Sequence, residues 1–118
     1  MSNYTKVPLS GRADGLVIQI TVTTIGTAQT IHTVPSGTTT WDEIWLWVNN
    51  TGSTDAKVSI LHGSDGTDAT CACKDYLMPP KSQAELILAG AVLQNSLTVK
   101  AYCDTGLVNC FGYVKRPT

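Results

Sequence analysis

The sequence predicts an all-β fold: a single-domain antiparallel β-sandwich, jelly-roll-like, of about eight strands. Three observations carry that prediction. Apolar residues recur at every second position in one segment after another, the period of a pleated strand. Gly, Pro, Asn and Asp interrupt the pattern every roughly 8–12 residues, the spacing of short strands joined by turns. No stretch carries a convincing helical period, so no long helix is expected. The 118 residues make one domain by size and can bury a core without obligatory cross-links.

The elements follow in order. Leu16, Ile18, Ile20 and Val22 alternate with Val17, Gln19, Thr21 and Thr23, opened by the turn signal Asp14-Gly15. Ala28 to Val34 reads as a short strand with Thr30 and His32 on one face, closed by Pro35-Ser36-Gly37. The tryptophan-rich segment Trp41 to Asn50 comes next and ends in the turn cluster Asn49-Asn50-Thr51-Gly52-Ser53. Lys57 to His62 alternates again, and the short loop predicts a hairpin with the tryptophan strand. Thr70 to Leu77 is a strand stopped by Met78-Pro79-Pro80, and Gln83 to Leu88 is expected to be extended, although its Ala, Glu and Leu would also suit a helical turn. Leu97 to Cys103 and Asn109 to Lys115 are the last two strands, joined by Asp104-Thr105-Gly106. In the last of them Phe111 and Tyr113 share one face, and Cys110, Gly112 and Val114 the other. The domain spans 1–118, with residues 1–8 expected as an N-terminal arm and 115–118 as a C-terminal tail.

The segment Trp41-Asp42-Glu43-Ile44-Trp45-Leu46-Trp47-Val48 is the most informative. Alternation puts Ile44, Leu46 and Val48 on one face and Trp45 and Trp47 on the other. Both faces are large and apolar, yet a sandwich strand has only one core face. The other must be covered by the chain's own segments or by another copy, and another copy is the favoured reading. Trp and Tyr are enriched at energetic centres of interfaces. The expected contact surface is Trp41, Trp45 and Trp47, with Tyr4 and Val7 of the arm and Leu9 just after it.

Charged residues are 14% and the formal net charge is −1, against about 25% charged in an ordinary domain. That composition argues against nucleic acid as a partner, and against a polybasic membrane anchor. No apolar run approaches the roughly 20 residues of a spanning helix, and no secretion signal is read at the start. A weakly charged, Thr-rich exterior suits a protein packed into an assembly.

No constellation names a reaction. Cys71-x-Cys73 puts two sulfurs on one strand face, and Cys103 and Cys110 flank a turn of a candidate hairpin. The zinc-ribbon spacing is missing, and a reducing cytoplasm disfavours disulfides. Buried thiols are therefore the leading reading of these four, with disulfides and metal behind. His32 and His62 belong to no metal-binding pair, and no nucleophile elbow is present. Asp42 and Glu43 point to opposite faces, so they form no acid–base pair; Glu43 is expected to meet solvent or a cross-strand Lys. Asp65-Gly66-Thr67-Asp68 is an acidic loop that lacks the full calcium pattern. No cofactor, metal or catalytic residue is expected.

Several phrases of the chain resemble a known class. They are Lys6-Val7-Pro8-Leu9-Ser10-Gly11 followed by Asp14-Gly15, Ile31-His32-Thr33, and Asp42-Glu43-Ile44-Trp45-Leu46. The run Val92 to Ala101 and the ending Gly112-Tyr113-Val114-Lys115-Arg116 complete them. Together they resemble small virion proteins of tailed bacteriophages. The resemblance implies a β-structured particle component of the capsid decoration, or cement, type. It implies a place on the capsid surface of a virion, synthesis in the host bacterial cytoplasm, and no catalysis. Its implied partners are the major capsid protein and further copies of itself, as a homotrimer. The four cysteines lie outside the resemblance. The competing expectations are a tail or neck ring component and a carbohydrate- or host-surface-binding module, with an enzyme last.

Overall fold

The structure is a computed structural model, and it describes residues 3–12, 14–63 and 71–117. Among them are nine strands: β1 (Tyr4–Pro8), β2 (Ile18–Ile20), β3 (Gln29–Thr33), β4 (Asp42–Asn50), β5 (Ala56–His62), β6 (Cys71–Met78), β7 (Glu85–Leu93), β8 (Thr98–Cys103) and β9 (Val108–Pro117). The only helical turn described is the 3-10 segment Ile25–Thr27. One sheet runs β1-β9-β4-β7, with β2 also on β9; the other runs β3-β8-β5-β6. All pairings are antiparallel.

The pairs β2·β9, β3·β8, β4·β7 and β5·β6 are nested one inside the next. The chain is thus one long hairpin wound over itself into two sheets, which is the jelly roll. Inward rows from both sheets meet in a single core. β4 contributes Ile44, Leu46 and Val48, β5 Val58 and Ile60, β8 Val99 and Ala101, and β9 Val108, Cys110 and Val114.

This winding corrects two expected hairpins. β4 does not pair with β5, because both its edges are taken by β7 and β9 and β5 lies in the opposite sheet. The Asn49–Ser53 cluster instead carries the chain from one sheet to the other. Asn50 turns that corner: its Nδ2 donates to the carbonyls of Thr54, Met78 and Pro79, and its Oδ1 accepts from Gly52 N–H at 2.9 Å. The segment Asp104–Gly106 likewise joins β8 and β9 across the sandwich, not within one sheet.

Bulges account for three further differences. β7 runs to Leu93, well past the expected Leu88, because Gly90 at φ +82 is an extra residue between the positions facing Ile44 and Trp45. A second shift near Ile87 leaves Leu86 outward and Leu88 inward. In β3 a bulge between Thr30 and His32 buries His32 while Thr30 stays exposed, so the two do not share a face. β2 is only three residues, with Leu16 and Val17 exposed before it. Beyond it the chain swings to the other sheet, where the Val22 carbonyl accepts from Cys103 N–H.

The segments expected as an arm and a tail are paired with each other over their described parts. Tyr4 to Pro8 lies antiparallel to Tyr113 to Pro117. Alternation in that pair turns Tyr4, Lys6 and Pro8 outward and Val7 inward beside the core.

At the β4–β9 contact the strands approach so closely that a Cβ on Gly112 would lie 2.0 Å from the Trp45 carbonyl oxygen. Backbone cannot yield that distance cheaply. Gly112→Ala should destabilise the protein by about 2 kcal/mol or more, read as a lowered midpoint in chemical denaturation.

Candidate functional site, an aromatic sheet face

The outer face of the β1-β9-β4-β7 sheet is built by register. Trp45 stands opposite Tyr113, and Trp47 opposite Phe111. Their rings stack across the strands, with centroids 6.3 Å and 6.1 Å apart and interplanar angles of 14° and 11°. Trp47 also meets Tyr113 at 5.9 Å in a tilted contact. Four rings therefore form one continuous cluster.

Two lysines cover ring faces. Lys6 Nζ lies 4.9 Å from the Tyr113 ring centroid, and Lys115 Nζ lies 5.5 Å from that of Trp45. The Trp45 indole N–H donates to Glu43 Oε1 at 3.0 Å. Glu43 stands opposite Lys115 in register, but its carboxylate is turned to the indole. On the β7 side the face continues through Leu86, Ala89 and Val92, opposite Trp47, Trp45 and Glu43. At the far end it closes with Gln19, Asn109 and Asn49 in one row. An apolar hollow lined by Lys6, Val7, Pro8, Gly15, Gly112 and Tyr113 lies beside Tyr113.

The expected contact residues divide. Trp45 and Trp47 lie on this face, half-buried by each other and by Tyr113, Phe111 and the lysines. Tyr4 is on the same sheet face, 49% exposed. Trp41 is half-buried just before β4. Val7 points inward, and Leu9 is 3% exposed in the core. Leu9 is therefore a core residue and not a contact residue: the chain dives inward after Pro8, and the next turn is pinned to β3. Lys6 was missed, although the same alternation that turns Val7 in turns Lys6 out.

That pinning is part of a buried polar cluster at one end of the sandwich. Gly11 N–H donates to the Ile31 carbonyl at 2.8 Å, and Thr33 N–H to Ser10 Oγ at 2.7 Å. Ser10 N–H donates to His32 Nδ1 at 3.0 Å, so the other nitrogen, Nε2, carries the proton and donates to Asp42 Oδ2 at 2.6 Å. Arg116 completes the carboxylate, Nε to Oδ1 at 2.7 Å and Nη2 to Oδ2 at 3.0 Å. Asp42 is 0% and His32 1% exposed. Burial alone would raise the Asp42 carboxyl. The hydrogen bonds from Arg116 and His32, with the Arg116 charge, outweigh it and hold the group below the ordinary carboxylate range. The residue types are Ser, His and Asp, but the serine reaches the imidazole through its backbone N–H. Both ring nitrogens are occupied, so His32 cannot accept the Ser10 hydroxyl proton as a triad base would.

None of the four cysteines is in a disulfide. Cys103 and Cys110 are buried; Cys71 and Cys73 are half-buried on an edge strand. Burial and the neighbouring Cys103 push the Cys110 thiol up to about 12, and burial also raises Cys73. Among the described residues no group of three or more His, Cys, Asp or Glu could hold a metal ion. The acidic loop Asp65 to Asp68 lies outside the described residues. Among the described residues no helix is long and apolar enough to cross a membrane.

No family model, no curated protein and no solved structure matches the chain.

The buried groups have two measurable consequences. The unfolded carboxylate titrates near about 3.9, and the folded Asp42 lower. Its contribution to stability is therefore complete above the unfolded value and is lost as pH falls through the folded one. Asp42→Asn should cost about 3 kcal/mol by leaving Arg116 without its charge partner. It should also flatten the acid limb of a stability–pH curve measured by urea denaturation. For the thiols, iodoacetamide should label Cys71 in the native protein well before Cys103 or Cys110, and all four alike in denaturant, read by peptide mass spectrometry.

Proposed function

We propose that the protein is a structural component of a tailed-phage virion, a capsid decoration or cement protein that acts by binding alone. The jelly roll does not choose this reading, since viral capsid proteins, lectins and cupins share it. The observation that carries it is the state of the aromatic face. Trp45 and Tyr113 stack on one another, and a lysine ammonium covers each ring. A sugar-binding platform presents open ring faces for a pyranose to lie on. Here those faces are occupied, while ring edges, Leu86 and Val92 remain outward. A surface of that kind suits a flat protein partner, in which ring edges and aliphatic side chains interdigitate.

The resemblance to small virion proteins supports the same class and points to the major capsid protein as the partner. A cement protein needs no catalytic group. It needs many weak, identical contacts that act together on a shell. The low charge of the chain and its apolar sheet face suit that task. The tail or neck ring and the carbohydrate module have no observation of their own in favour.

The test is the copy number per particle from quantitative mass spectrometry of purified virions. A shell role predicts copies in numbers comparable with the major capsid protein; a single ring's worth would point to the neck, and none would end the virion reading. In addition, Trp47→Ala should stay folded by circular dichroism and be retained on capsids about tenfold less or weaker, measured by co-sedimentation with heads stripped of the wild-type protein.

A further inference from the structure

The aromatic face has a second property, which comes from its row order. Across the strands β1, β9, β4 and β7, one row reads Lys6, Lys115, Glu43, Val92. The next reads Pro8, Tyr113, Trp45, Ala89. A third reads Phe111, Trp47, Leu86, and the last Gln19, Asn109, Asn49. A two-fold axis laid along the strands between β9 and β4 reverses each row onto itself.

The reversal pairs β9 with β4 of the second copy in every row, and on the outer strands it sets Lys6 opposite Val92 and Pro8 opposite Ala89. Lys115 comes to face Glu43 of a second copy, twice by symmetry. Tyr113 faces Trp45, Phe111 faces Trp47, and Asn109 faces Asn49. Leu86, 42% exposed, comes to the flank of β9 at the level of Phe111. That is where β1 ends opposite Tyr113 and β2 begins opposite Cys110, beside the hollow lined by Pro8, Gly15, Gly112 and Tyr113. An exposed knob and an apolar hollow thus occupy positions that the same axis exchanges. Within its own chain the Glu43 carboxylate is bonded to the Trp45 indole, and the Lys115 ammonium lies over the Trp45 ring.

We infer that the occupant of this face is a second copy of the chain, in an isologous two-fold dimer packed sheet to sheet. A self-complementary patch is what a two-fold contact requires, whereas a three-fold contact joins two different patches. Face-to-face sheets pack about 30° from aligned, so rows far from the crossing point drift apart; with that point at the Lys115–Glu43 and Tyr113–Trp45 rows, those two stay in register. The dimer departs from the trimer that the resemblance implies. It rests on the proposed function only in taking the face to be a protein contact; the opposite sheet and the loops then meet the shell, and Trp47 supports capsid retention through the doubled contacts of the dimer.

Sedimentation equilibrium of the purified full chain tests it over the micromolar range. The wild type should be a dimer. Lys115→Glu sets one carboxylate against another at both symmetric contacts with Glu43 and should weaken association about a hundredfold. Adding Glu43→Lys on the same chain should restore it, which a loss of folding would not. Leu86→Asp, at an exposed position, should also give monomers with an unchanged circular dichroism spectrum. A wild type that stays monomeric throughout overturns the dimer. So does a Lys115→Glu defect that the added Glu43→Lys change fails to relieve. A monomer that still binds stripped heads through Trp47 would overturn the dimer and keep the decoration role; a dimer absent from virions would do the reverse.

Discussion

The Asp42 carboxylate is the interaction on which most of the fold's geometry depends. It is fully buried, and it is bound by His32 from β3 and Arg116 from β9 while standing on β4. Through His32 it also fixes the turn after β1, since Ser10 N–H caps the imidazole. One charge thereby joins both sheets and draws in both ends of the chain. A buried ion cluster is a poor source of net stability, because desolvation offsets most of its attraction. Its contribution is directional. Apolar burial would tolerate several placements of the short N-terminal strand, but only one brings Ser10 N–H to the imidazole that, with Arg116, holds the carboxylate.

That placement decides what kind of contact the molecule can make. Sheet edges are the usual route to strand addition between chains, and here each edge is blunted. β1 carries Lys6 and Pro8 and is itself laid on β9. β3 is covered by the Leu9–Arg12 turn. β6 breaks register twice against β5 and holds Asp75 at positive φ, with Asp75 N–H bonded to Ser59 Oγ. β7 is bulged at Gly90, and its Glu85 accepts from the Tyr76 hydroxyl of β6. With arms docked and edges closed, association by strand exchange has no free segment to use among the described residues. The proposed contact is therefore one through a face.

Much of this was legible in the sequence. The period-two segments marked the strands, and Ile44, Leu46 and Val48 opposite Trp45 and Trp47 marked which strand had two apolar faces. Phe111 and Tyr113 carried the same signal on the strand that pairs with it. What was not legible was partnership. Adjacent strands with a short loop suggest a hairpin, but β4 already had both edges filled from late in the chain, and local spacing carries no trace of β7 or β9. Bulges were equally hidden: a single extra residue at Gly90 or Ile31 reverses every side chain beyond it. The His32–Asp42–Arg116 cluster was out of reach for the same reason. Asp42 reads as one of two acidic residues on a strand, and only the winding brings Arg116 to it from 74 positions away.

The two outer faces of the sandwich differ in a way that the composition alone does not explain. On the second sheet the outward positions of β8 are Thr98, Lys100 and Tyr102, and β5 begins with an exposed Lys57. On the first sheet the corresponding layer is aromatic, and its lysines lie back over the rings. A lysine stem can shelter an apolar surface in the free protein and swing aside when a partner arrives, since its ammonium stays hydrated in both positions. The cation–aromatic contacts at this face are therefore compatible with a surface that is tolerable when bare and better covered. That difference between the sheets, more than the fold, is what singles out one side of the molecule for the proposed protein contact.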